Sequence, residues 1–186
     1  MIILAVLEGY SRSTSPVDLS DMTEALLKGE VYKRLIKKAW LGKHQVRRFV
    51  GFVQENESEE NVLLLVGKSL GGRNIIRVFN LIDVNAYKAV VLFTIDVNWP
   101  TWRDLSPNLN KISVAMNDDA DMAVNVYLRT PNKRLQAGCR VDRAFNIPIV
   151  DPTVTHRNII GARPVRDNLY HAVKFAIGCQ NKKGTE

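Results

Sequence analysis

At 186 residues, 46% hydrophobic and 24% charged, the chain has the composition of a soluble globular protein able to bury a core without disulfides. Its two cysteines, Cys139 and Cys179, show no metal-ligand spacing and are too few for a disulfide framework, so reduced thiols in a cytoplasmic protein are expected. The net charge of +7 would suit a nucleic-acid partner, but the basic clusters at Lys33-Arg34, Lys37-Lys38, Arg47-Arg48 and Lys182-Lys183 lack interleaved aromatics and any binding motif, so the charge reads as a basic surface.

The first apolar run stops at Glu8. It lacks the basic start, length and cleavage site of a signal peptide, and residues 2–7 read as a buried strand. No stretch approaches membrane-spanning length. A loop through Glu8, Gly9 and Tyr10 leads to a helix over 18–28, which Gly29 ends. Residues 31–39 are ambiguous, because Val31, Leu35, Ile36 and Ala39 fit a helix while a short strand is also compatible. A helix over 45–55 places Val46, Phe49, Val50 and Val53 on one face, and a polar loop follows over 56–61.

An aliphatic strand over 62–66 then runs into Gly67-Lys68-Ser69-Leu70-Gly71-Gly72 and a helix to Phe79. Beyond a turn over 80–87, residues 89–95 form another buried strand that ends at Asp96. A long loop carries Trp99, Pro100, Trp102 and Pro107, and strands follow over 122–128 and 145–150, with Tyr127 and Phe145 read as core. Residues 152–163 are irregular and hold His156, and a helix over 164–177 closes the chain. Strands alternating with helices imply an α/β three-layer sandwich with a mostly parallel central sheet, in one domain spanning 1–186.

Strand, Gly-x-Ser-x-Gly, helix is the context of a nucleophile elbow, in which a tight turn leaves the serine hydroxyl at the carboxyl edge of the sheet near a helix N-terminus. A phosphate-binding loop would need glycine at position 62, which is Val62, so that reading of Gly67-Lys68-Ser69 fails. Serine attacks only when a base takes its proton and a third group orients the base. Of His44, His156 and His171, the first precedes the elbow and the last sits within the closing helix. His156 lies in the loop between the last strand and the last helix.

Gly67-Lys68-Ser69-Leu70-Gly71-Gly72, Thr94-Ile95-Asp96 and Val154-Thr155-His156 ahead of a C-terminal helix together resemble a small, cutinase-sized lipase or esterase of the α/β-hydrolase superfamily. The resemblance runs from the first strand to the last helix. It implies Ser69 as nucleophile, His156 as general base and acid, an aspartate that orients His156, and an oxyanion hole from the backbone N–H groups of Leu70 and Tyr10. The departures are Lys68 where the family carries histidine before the serine, Glu8-Gly9 where it carries His-Gly, and a chain that starts on the equivalent of the third strand. Glu8 and Lys68 are expected to pair across neighbouring strands.

Asp83 falls at the wrong end of the sheet, Asp104, Asp118, Asp119 and Asp121 fall in polar loop, and Asp142 falls between Arg140 and Arg143. Asp96, directly ending the strand after the elbow helix, is favoured as the acid over Asp151, which stands five residues before His156. Trp99 and Trp102 are candidates for an acyl pocket. The expected activity is cleavage of a small carboxylic ester without a metal or other cofactor, with thioester or peptide substrates served by the same triad. The alternatives are a non-catalytic binding protein on the same fold and a basic nucleic-acid-associated protein.

Overall fold

The computed structural model describes residues 1–9, 18–37, 43–97, 113–129 and 138–182. Its centre is a six-stranded, all-parallel sheet of β1 (Ile2–Leu7), β2 (Tyr32–Lys37), β3 (Ser58–Lys68), β4 (Tyr87–Ile95), β6 (Met122–Leu128) and β8 (Phe145–Ile149), in the order β2-β1-β3-β4-β6-β8. Two short strands, β5 (Ser113–Val114) and β7 (Arg140–Val141), form a second parallel pair.

Every residue of β1 is fully buried, as a parallel strand covered on both faces requires. Alternation divides the core in two. Ile2, Leu4 and Val6 of β1, with Val62, Leu64 and Val66 of β3, pack under α1 (Leu19–Leu26) and α4 (Arg163–Asn181). Ile3, Ala5, Leu7, Leu63 and Leu65 pack on the opposite face under α2 (Lys43–Gln54) and α3 (Leu70–Phe79). Helix, sheet, helix is the expected three-layer α/β arrangement.

The ambiguous segment becomes β2 because its backbone pairs with β1 from Ile2↔Tyr32 to Leu7↔Lys37; Ala39 lies outside the described residues. The polar loop expected over 56–61 is mostly strand, since β3 begins at Ser58 opposite Tyr87 and passes an irregularity before the Val62↔Ala89 pair. Phe145, expected in the core, is 71% exposed, because it opens β8, the edge strand of the sheet among the described residues. Tyr127 is buried, as expected. The closing helix extends to Asn181 and carries Pro164 in its first turn, where a missing N–H costs nothing.

Candidate active site

Three strands side by side, β1, β3 and β4, end together at the carboxyl edge of the sheet. Leu7 pairs with Gly67, and Lys68 with Ile95, so Glu8, Ser69 and Asp96 leave the sheet as neighbours. Ser69 has φ 58° and ψ −126°, a conformation that costs an L residue about 1–3 kcal/mol and persists only where its surroundings enforce it. The Ser69 N–H donates to the Ile95 carbonyl at 2.8 Å, and the Ser69 carbonyl accepts the Arg73 N–H at 3.2 Å, the first bond of α3. The sharp turn from β3 into α3 is fixed by these two bonds.

Gly71 shows why the elbow needs its second glycine. A Cβ there would stand 2.1 Å from the Leu7 carbonyl oxygen, so the first turn of α3 can lie on the end of β1 only without a side chain. The loop leaving β1 then passes directly over the serine. A Cβ on Gly9 would come within 2.7 Å of Ser69 Cβ, and Leu70 opens α3 beside it. Leu70 N–H is thus at a helix N-terminus next to Ser69, where backbone donors and the helix dipole favour negative charge. Tyr10, the second expected donor, lies outside the described residues, as do Trp99 and Trp102.

Asp96 ends β4 with φ 47° and is fully buried. Its Oδ1 accepts the Leu128 N–H at 3.1 Å, and its Oδ2 is hydrogen-bonded to His156 Nδ1. His156 comes from the loop after β8 and keeps 14% of its side chain exposed, so one imidazole nitrogen is held by the acid while the ring still reaches solvent. Asp151 is spent elsewhere. It is exposed and accepts from the Thr153 hydroxyl and N–H, which hold its carboxyl below the usual aspartate range. His171 is exposed on α4 with its ring edge-on to Tyr170, and His44 contributes backbone to α2. Ser69 is 7% exposed, and its Oγ forms no hydrogen bond with His156 among the described residues.

Residues that the motif did not point to surround Asp96. A Cβ on Gly138 would lie 2.2 Å from Asp96 Oδ1, so the backbone of residues 138–139 packs directly against the carboxylate. That segment is tied down by Cys139 N–H to the Val97 carbonyl at 2.8 Å and by Asn125, fully buried under it. Asn125 Nδ2 donates to the Cys139 carbonyl at 3.0 Å and to Asn146 Oδ1 at 2.9 Å, and Asn125 Oδ1 accepts the Thr94 hydroxyl at 2.9 Å. Nothing in the local sequence of Asn125 or Gly138 signals this, because the partners lie on other strands.

The expected Glu8–Lys68 pair is not a direct contact. Glu8 Oε1 instead accepts the Ser20 N–H at 2.8 Å and caps the first turn of α1. Both side chains are nonetheless buried, and burial pushes the Lys68 ammonium below the usual lysine range, opposed by Asp96, Glu8 and Asp18. A groove of about 360 Å³, lined by Val46, Arg47, Arg77, Asn80, Leu81 and Asn117, contains none of Ser69, Asp96 and His156. Among the described residues no group of His, Cys, Asp or Glu could hold a metal ion, and no helix is long and apolar enough to cross a membrane. No family model, curated protein or solved structure matches the chain.

Proposed function

We propose that this protein is a serine hydrolase of the α/β-hydrolase type, cleaving small carboxylic esters through an acyl-enzyme. The observation that carries the reading is the part-buried Asp96–His156 hydrogen bond at the same sheet edge as the strained Ser69. The neighbouring ends of β1 and β3, with the loop of Gly9 lying on Ser69, also agree with the family's sheet order.

The chemistry follows from which atoms are occupied. His156 Nδ1–H donates to Asp96, so Nε2 carries the lone pair that takes the Ser69 proton. Ser69 Oγ attacks the ester carbonyl carbon, and the negative charge moves to the carbonyl oxygen, where Leu70 N–H donates to it. His156 returns the proton to the departing alcohol. Water then enters by the same route in reverse, with His156 as base, and the carboxylate leaves as Ser69 regains its proton. Asp96 keeps its hydrogen bond to Nδ1 and stabilises the imidazolium that forms at each step.

Turnover of p-nitrophenyl acetate by wild type, Ser69→Ala and His156→Ala tests this. The triad acts as a unit, so each variant should lose roughly three or more orders of magnitude in kcat, with the double variant no worse than the singles. A folded Ser69→Ala protein with undiminished turnover would refute the assignment.

A further inference from the structure

Among the described residues Lys68 is the only buried cation, 2% exposed, in the position immediately before Ser69. Its strand lies between the two strands that end at Glu8 and Asp96. Continuing the alternation of Val62, Leu64 and Val66, its side chain falls on the α1 side of the sheet, where Asp18 and Glu8 stand at the first turn of α1.

We propose that Lys68 is a positioning residue of this site, the counter-charge set between the Asp96 carboxylate that orients His156 and the Glu8 carboxylate that anchors the loop lying on Ser69. The inference rests on the hydrolase reading and gives that site an electrostatic link between its acid and its oxyanion side. Three carboxylates, Asp96, Glu8 and Asp18, bear on the ammonium. Their attraction does not match the cost of taking the charge out of water, and the Lys68 proton is held less tightly than that of a free lysine. Replacing a buried charge by an apolar side chain of similar volume is often neutral or stabilising for a fold. Without the Lys68 ammonium, Asp96 and Glu8, which follow the strands flanking β3, lose the one buried cation between their strand ends among the described residues. The field at Asp96 then changes, and with it the Asp96–His156 hydrogen bond.

Lys68→Met, which keeps length and removes charge, and Lys68→Arg, which keeps charge, separate this role from a structural one. Kinetics on p-nitrophenyl acetate, thermal unfolding, and the NMR resonance of the His156 ring N–H proton bonded to Asp96 are measured for each. Lys68→Met should lower kcat about 10- to 100-fold through misplacement of the triad, with KM changed less than about twofold. Its Tm should stay equal to wild type or rise, and its His156 proton resonance should move. Lys68→Arg should recover part of kcat and return the resonance toward its wild-type position. Wild-type kcat and an unmoved resonance in Lys68→Met would overturn the proposal, as would a loss of kcat in step with a fall in Tm. If wild type itself turns over no ester, the hydrolase reading fails, and the resonance still reports whether Lys68 positions the Asp96–His156 pair.

Discussion

Asp96 divides one carboxylate between two partners. Oδ1 is fixed by Leu128 N–H and crowded by the backbone at Gly138, which leaves Oδ2 for His156. An amide in its place keeps the shape but presents an N–H₂ group to His156 and favours the wrong tautomer. Asp96→Asn should therefore lower ester turnover by roughly three to four orders of magnitude. Asp151→Asn, which touches only the local bonds to Thr153 and keeps an oxygen to accept them, should stay within about twofold of wild type. Near-normal turnover in Asp96→Asn with collapse in Asp151→Asn would reassign the acid. Ser69 and His156 stand out in the sequence because glycine spacing and loop position mark them. Leu128 and Gly138 do not, since their tie to Asp96 exists only once β6 has paired with β4.

At the scale of elements, the acid's surroundings depend on a polar clamp inside an otherwise aliphatic sheet. Thr94 on β4, Asn125 on β6 and Asn146 on β8 stand side by side across three strands, and Asn146 also accepts the Val141 N–H at 2.9 Å. Removing Asn125 strands the Thr94 hydroxyl in the core and takes one donor from the Cys139 carbonyl. Each buried group left without a partner costs about 1–3 kcal/mol. Asn125→Leu should thus lower Tm by several degrees, a shift of about 2–4 °C per kcal/mol at this chain length. Melting followed by circular dichroism checks it, and an unchanged Tm would show that the clamp contributes nothing. The strands themselves were legible wherever aliphatic runs are long, as in β1, β3 and β4. The segment of β2 was not, because Leu35, Ile36 and their neighbours satisfy a helical period as well, and only pairing with β1 decides. Phe145 misled for a related reason: hydrophobicity marks a strand residue without telling whether its strand lies at the sheet's edge.

Across the whole molecule, the alternation of strands and helices announced three layers, whereas the strand order rests on pairings far apart in sequence that no local pattern encodes. Global stability also carries the mark of the site. Lys68 holds its proton less tightly folded than unfolded, so between its folded value and the ordinary 10.5 the unfolded chain binds more protons. Stability contributed through Lys68 must then rise with pH across that window. Wild type should gain on Lys68→Met as pH climbs toward 10.5 in paired urea titrations, and a constant difference between them would contradict this. The central claim is that Ser69 is an activated nucleophile, and covalent capture reads it without any assumption about the natural ester. Treated with a fluorophosphonate, the wild-type protein should gain one phosphonyl adduct, mapped by mass spectrometry to the peptide containing Ser69, while Ser69→Ala gains none. An unlabelled wild type, or equal labelling of Ser69→Ala, would contradict the account.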